Sequence, residues 1–296
     1  MIATTSRAPS SSIHEMLRQA TQQLSVAGIA HARHEAEWLL ARLMGARPLE
    51  LYLDPSLVPP EILKRFSSQI QARASGVPLQ YLLGTADFCG FEISVTPDVF
   101  IPRPETETIV EAAVEVLRPL ARALRRPLRL LDLGTGSGCI AIALARALPA
   151  CVVVGVELSW NALRLACTNV RRHGLASRVC LVQGRWMDAL VGRFDGIVSN
   201  PPYVPSRQVD HLPLDVRQEP RLSLDGGPDG LRELRHLVAE APRVLHGGGV
   251  VVLECGEEHV ESLCAVAQST AWVACATPLK DLAGRPRGVR LIGKSS

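Results

Sequence analysis

From Leu128 onward, short apolar runs alternate with helical patterns, and that alternation limits the fold more than any other feature of the chain. Leu128–Leu133, Cys151–Glu157, Val179–Gln183 and Phe194–Ser199 have the length and apolar content of buried strands. Helical patterns over 139–148 and 160–173 separate the first three. A further helix over 231–245 precedes a fifth strand at 249–254, and 272–279 with 288–292 read as a closing strand pair. Strands this apolar must be covered on both faces. The pattern therefore predicts an α/β fold, a doubly wound Rossmann-like sheet with helices on either side.

In such a sheet ligands bind outside the carboxyl ends of the strands. Three of those ends carry chemistry. After the first strand comes Asp132-Leu133-Gly134-Thr135-Gly136-Ser137-Gly138, a sharp turn into a helix. Its spacing is GxGxG, with Cys139 where a dinucleotide fingerprint would have its third glycine, which disfavours a pyrophosphate on the helix N-terminus. Asp132 would repel a pyrophosphate and accept from an ammonium group. The second strand ends on Glu157, in the place of an acid that accepts ribose hydroxyls. The loop and the acid together suggest S-adenosylmethionine. The fourth strand runs into Asn200-Pro201-Pro202-Tyr203. Two prolines stop the ladder and leave carbonyls unpaired. Those acceptors, the Asn200 side chain and the Tyr203 ring make a socket for a planar group bearing an NH2.

Upstream, the Ser12-Ile13-His14-Glu15 stretch has the form of a capping box. Helices are expected after it, over about 32–44 closed by Gly45, and from Pro60. His31, Glu35 and Glu37 read as an exposed helix face. A strand with a turn at Gly90 follows, as part of a β-hairpin between domains. Glu105 and Glu107 fall in the first turn of the next helix, where they complement its dipole.

The net charge of +3 does not demand a nucleic-acid partner, and the local run Arg122, Arg125, Arg126 and Arg129 reads as a solvated helix end and loop. The eight cysteines lack the spacing of a zinc site or redox pair and are expected to be reduced. No apolar run is long enough to span a bilayer, and Met1 to Ser12 has no apolar core of a signal peptide, so the expected location is cytoplasmic.

Together with the glycine loop and Asn-Pro-Pro-Tyr, three stretches narrow the assignment. Gly76-x-Pro78-x-Gln80-Tyr81-x-x-Gly84, Ile101-Pro102-Arg103-Pro104-Glu105-Thr106-Glu107, and Glu219-Pro220-Arg221 with Gly226-Gly227-x-Asp229-Gly230-Leu231 resemble the peptide chain release factor glutamine N5-methyltransferases, the PrmC/HemK family of class I S-adenosylmethionine-dependent methyltransferases. The resemblance runs to Asp281-Leu282-Ala283-Gly284, nearly the whole chain. It implies a helical N-terminal domain over 1–85 that docks substrate, a β-hairpin linker over 86–104, and a seven-stranded methyltransferase domain over 105–296. It implies methyl transfer from S-adenosylmethionine to the glutamine of the Gly-Gly-Gln motif in class 1 release factors. The expected enzyme is a monomer with no metal, no membrane attachment and no direct nucleic-acid binding.

By position, Gly134, Thr135, Gly136, Ser137 and Gly138 form the cofactor loop, Glu157 takes the ribose place and Trp186 flanks the adenine. Asn200 contacts the cofactor region and, with Pro201, Pro202 and Tyr203, binds substrate. Asn200, Pro201 and Tyr203 are the expected catalytic residues: the Asn200 side-chain oxygen and the Pro201 carbonyl each accept one N–H of the amide, and Tyr203 packs on its plane. Two departures stand out. The family usually has Asp at the ribose place, where this chain has Glu157, and the segment 254–259 lacks a Gln that the family often carries after the fifth strand. The same tetrapeptide also suits a methyltransferase for a ribosomal-protein glutamine or for adenine N6 of a flipped DNA base. A scaffold that binds cofactor without catalysis is the reading from another class.

Overall fold

The structure, a computed structural model, describes residues 12–53 and 58–295. The N-terminal residues read above as lacking a leader lie outside the described residues up to 11. The chain forms two units, one of residues up to 84 with 214–218, the other of 85–213 with 219–296.

The first unit is helical: α1 Ile13–Val26, α2 Ala32–Met44, α3 Pro60–Ala74 and the short α4 Leu79–Leu83. Leu24, Leu39, Leu40, Phe66 and Ile70 fill its core. Only half of the expected capping box forms. Ser12 accepts from the Glu15 backbone N–H, but the Glu15 carboxylate turns outward to Arg18 and Gln19. Gly45 closes α2 in the left-handed conformation, as its position predicts. Glu35 and Glu37 do not form a free, solvated face. The buried Arg73 donates to Glu35 at 2.6 Å and to the Val77 carbonyl, and Glu37 takes Arg33 and the Tyr52 hydroxyl. A buried guanidinium must be paired, and this pairing ties α2 to α3.

The second unit starts with a hairpin, β1 Thr85–Phe88 and β2 Phe91–Ser94. Cys89 and Gly90 both have positive φ, the signature of a tight type I′ turn. Then follow α5 Pro104–Ala123, β3 Leu128–Leu133, α6 Cys139–Ala147, β4 Cys151–Glu157, α7 Trp160–Arg172, β5 Val179–Gln183, β6 Phe194–Ser199, the single turn α8 Ser206–Val209, α9 Arg232–Val244, β7 Leu245–Glu254, α10 Val260–Ser269, β8 Val273–Lys280 and β9 Pro286–Gly293. The seven-stranded sheet runs β5-β4-β3-β6-β7-β9-β8. Its first five strands are parallel, and β9 is antiparallel to both β7 and β8. The strand order reverses between β4 and β6 on either side of β3, so a crevice opens at the carboxyl ends of those three strands.

Two buried polar side chains hold this frame. Every residue of β6 is buried, Asp195 included. Asp195 takes both arms of the Arg126 guanidinium and the Arg129 backbone N–H. Those bonds keep its carboxyl below the usual range even though burial alone would raise it. Arg126 stays exposed with Arg122, Arg125 and Arg129, as expected of the run, while its guanidinium caps Asp195 and Arg129 lies over the Phe194 ring. Asn169 on α7 is fully buried. Its amide accepts from Ser94 N–H and donates to the Ser94 and Ser137 carbonyls, joining hairpin, helix and glycine loop. Glu107 likewise does more than face a helix dipole, since its carboxylate accepts the Cys89 N–H at the hairpin turn. All eight cysteines are free thiols; burial pushes Cys151 up to about 11 and Cys255 up to about 12.

Candidate active site

A cavity of about 410 Å³ opens at the crevice. Gly134, Thr135, Gly136 and Ser137 line one side of it and Asn200 and Pro202 another, with Glu157 and Trp186 between. The stretches singled out in the sequence thus meet at one place. Gly138 lies just past the wall as the N-cap of α6. Pro201 is buried and Tyr203 partly buried, and neither lines the cavity.

The loop is built from its own backbone. Gly134 and Thr135 both donate to the Val156 carbonyl, at 2.9 and 3.0 Å, bending the chain out of β3 towards the end of β4. Gly134 needs its missing Cβ twice over. Its φ is +72°, and a Cβ would sit 3.3 Å from the Trp186 ring. Asp132 does not reach the cavity. It is fully buried and takes the Thr135 hydroxyl and the Ala141 N–H, anchoring the loop to α6. Burial pushes its carboxyl up to about 7.

Glu157 is already engaged. One carboxylate oxygen accepts Gly136 N–H at 2.9 Å and the other accepts Ser159 N–H at 2.8 Å. Two N–H donors fix the longer side chain against the loop and leave further lone pairs for a ligand, since a carboxylate offers about four acceptor sites. Trp186 has a φ of +46°, rare for a bulky residue. Its indole N–H donates to Glu233 at 2.7 Å, and Glu233 also grips Arg232 at 2.7 Å. Those partners hold the Glu233 carboxyl below its ordinary range against the opposing pull of burial. The sequence reading missed Glu233 and Arg232, although both line the cavity.

On the β6 side, Asn200 donates its Nδ2 to the Thr106 hydroxyl at 3.1 Å, which leaves Oδ1 as the accepting end of the side chain. The Tyr203 hydroxyl donates to the buried Glu254 at 3.2 Å. Burial and the Glu254 carboxyl together push the Tyr203 phenol well above its normal value. Thr106 and Glu254 were also missed. A usable signal existed for Glu254, an acid at the carboxyl end of an apolar strand, as Glu157 is.

The backbone immediately after the tetrapeptide is gripped from outside. Val204 donates to the Leu224 carbonyl and Gly226 returns a bond to the Val204 carbonyl, at 2.9 and 2.8 Å. Glu219 joins two of the signature stretches: it accepts the Ile101 N–H at 2.9 Å and pairs with Arg103. Among the described residues, no group of three or more His, Cys, Asp or Glu side chains is placed to hold a metal ion, and no helix is long and apolar enough to cross a membrane.

Comparison with known proteins agrees with this architecture. The PrmC N-terminal domain family matches residues 15–84 and the methyltransferase small domain family residues 109–214. A release factor glutamine methyltransferase of Geobacter sulfurreducens is 42% identical over 285 residues, 95% of each chain. Another, of Moorella thermoacetica, is 40% identical over 277 residues, 93% of this chain and 96% of its own. A crystal structure of a methyltransferase from Pyrococcus furiosus superposes with a TM-score of 0.51 at 21% identity, over 71% of this chain and 91% of that one, a likeness of fold. Identity of this level across almost the full length of both sequences means that the chain belongs to the release factor glutamine methyltransferase family.

Proposed function

We propose that this enzyme moves a methyl group from S-adenosylmethionine to the side-chain nitrogen of the glutamine in the Gly-Gly-Gln motif of class 1 release factors, in the cytoplasm. The observation that carries the reading is the shared cavity: the Asn200 amide and the Gly134–Gly136 turn line the same space.

The residues present suit that cofactor. Glu157 offers the ribose free lone pairs, and the Trp186 ring supplies a flat apolar wall. The turn has no cluster of free N–H groups for a pyrophosphate, because Gly134, Thr135, Gly136 and Gly138 all spend theirs internally. When bound, the cofactor supplies a sulfonium-activated methyl, so the protein is left to hold and orient the nitrogen.

An amide nitrogen is a poor nucleophile because its lone pair is delocalised into the carbonyl. Asn200 Oδ1 and the Pro201 carbonyl each accept one N–H of the glutamine, which fixes the amide plane and favours the positive charge growing on nitrogen. The bond to Thr106 sets which end of the Asn200 amide accepts. Tyr203, pinned through its hydroxyl, packs on the amide plane. Orientation of this kind contributes several kcal/mol, up to about 7–11 in ideal cases. The methylated cation is strongly acidic and loses its proton without a side-chain base. The helical unit over 1–85 serves to dock the release factor, joined through the hairpin to the methyltransferase domain; the enzyme acts as a monomer.

Mass spectrometry of a release factor after incubation with enzyme and S-adenosylmethionine is expected to show one added methyl on the Gly-Gly-Gln glutamine. Methylation of a ribosomal protein or of DNA adenine, with the release factor untouched, would overturn the assignment. Glu233→Gln removes the charge that holds Trp186 and Arg232. It should weaken cofactor binding about tenfold, as expected for loss of ~1.4 kcal/mol from charge-assisted hydrogen bonds, measured by calorimetry.

A further inference from the structure

Behind the cavity lies a chain of polar groups that the transfer step as drawn does not use. Glu254 is the last residue of β7 and is buried, 2% exposed. Its Oε1 accepts the Tyr203 hydroxyl. Its Oε2 is buried and makes no hydrogen bond among the described residues. Thr106, also buried, gives one of its two oxygen lone pairs to Asn200 Nδ2, and its own hydroxyl proton is free to turn elsewhere. We propose that Glu254 is a positioning residue for methyl transfer, whose two oxygens draw the Tyr203 and Thr106 hydroxyl protons so that the Asn200 amide and the Tyr203 ring are set as one unit. The proposal rests on the transfer reading above.

The physical argument concerns one proton. An ionised Glu254 only accepts. It then holds Tyr203 through Oε1 and attracts the Thr106 proton to Oε2, which leaves a Thr106 lone pair for Asn200 Nδ2. A protonated Glu254 must place an O–H in the same small space. Donated to Thr106, that O–H takes one of the two lone pairs of the hydroxyl and turns the Thr106 proton away from Oε2 towards Asn200, where it favours the amide flipped with Oδ1 on Thr106. Asn200 Oδ1 then no longer points reliably at the substrate N–H.

Burial pushes the Glu254 carboxyl up to about 7, against the pull of the Thr106 and Tyr203 hydroxyls. The charged groups facing it are few. Glu105 from α5 raises it further and Arg287 from β9 lowers it. Arg287 is itself shared with Asp281 and Glu105. The neighbouring Cys255 thiol is held neutral by burial and by Glu254. The switch between the two arrangements therefore falls in the neutral range.

Two readouts test this. The first needs no release factor: the side-chain NH2 resonances of Asn200 are followed by NMR from pH 5.5 to 8.5, a range of about 1.5 units either side of neutral. In the wild type they should move with a single midpoint near neutral, and in Glu254→Gln they should stay flat. The second is kcat at saturating substrates. It should rise with pH through the same midpoint in the wild type. In Glu254→Gln it should be pH-independent and about tenfold below the wild-type plateau, with KM for the release factor changed less than about threefold. Tyr203→Phe should lower kcat by a similar factor, and the double variant should be no slower than either single one, because both break the same unit. An Asn200 signal that ignores pH in the wild type, or that still titrates in Glu254→Gln, overturns the proposal, as does multiplication of the two single effects. Failure of the release factor to be methylated at all would count against the transfer reading, and the NMR titration would still decide the role of Glu254.

Discussion

Asn200→Ala should cut methyl transfer to the release factor by about a hundred- to a thousand-fold, the scale on which removing one preorganised polar group at a reacting centre acts. Cofactor affinity should change by less than about threefold, because Glu157, the glycine turn and Trp186 stay in place. Asn200 is suited to this separation. It lines the cavity on the β6 side, and its Nδ2 is tied to Thr106 rather than to the loop residues. The truncated variant keeps Thr106 and the buried acid behind it, so the fold has little reason to suffer. Single-turnover transfer of a labelled methyl group, set beside calorimetry of cofactor binding, measures both effects. Wild-type turnover in this variant would remove Asn200 from the mechanism.

Gly226→Ala should be nearly as damaging, by a different route. A Cβ on Gly226 would lie 2.6 Å from the Tyr203 Cα, 2.7 Å from the Gly230 carbonyl oxygen and 2.8 Å from the Pro202 carbonyl oxygen. All three are backbone atoms, so no side chain can swing away. The tetrapeptide has to move, and displacement of about 1 Å at a reacting site costs on the order of a hundred-fold in rate. Overpacking of this kind also destabilises by about 3 kcal/mol, which for a domain of this size lowers the melting temperature by roughly 6–12 °C. Gly174→Ala is the matching control. Its φ is +68° but nothing lies within 4 Å of an added Cβ, so it should cost only about 1–2 kcal/mol of backbone strain and leave transfer rates intact. Thermal unfolding and transfer assays on the two variants separate a general glycine effect from the clamp on Tyr203.

What could be read from the letters follows from how far apart the cooperating residues lie. Strands β3 to β6 begin and end where their apolar runs do, although only β6 is buried along its whole length and the edge strand β5 exposes Cys180 and Gln183. Asp195 is the charged residue inside β6, and its partners Arg126 and Arg129 explain why it can stay there. The glycine turn and Glu157 were legible because each stands at a strand end. Helix α10 was not legible: its buried face is only Val260, Leu263 and Ala267, a stripe too short to stand out in a ten-residue helix. The supporting residues were harder for a physical reason. Trp186 meets Glu233 across 47 positions, Tyr203 meets Glu254 across 51, and Asn200 meets Thr106 across 94. None of these pairs shares a helix face or a strand register, so no periodicity announces them. Only the reversal of strand order brings their elements to one crevice. Glu35 and Glu37 show the opposite failure: their helical spacing suggested a wet surface, and the tertiary partners Arg73 and Tyr52 cover them.

Asn169 has a consequence beyond packing. A single carboxamide on α7 touches the second hairpin strand with two bonds and the glycine turn with a third. The hairpin and the turn that faces the methyl donor therefore share one mechanical joint, and neither can shift far without drawing on the other. A load applied to the hairpin is transmitted to the donor side of the crevice through one amide group, with no long relay of side chains in between.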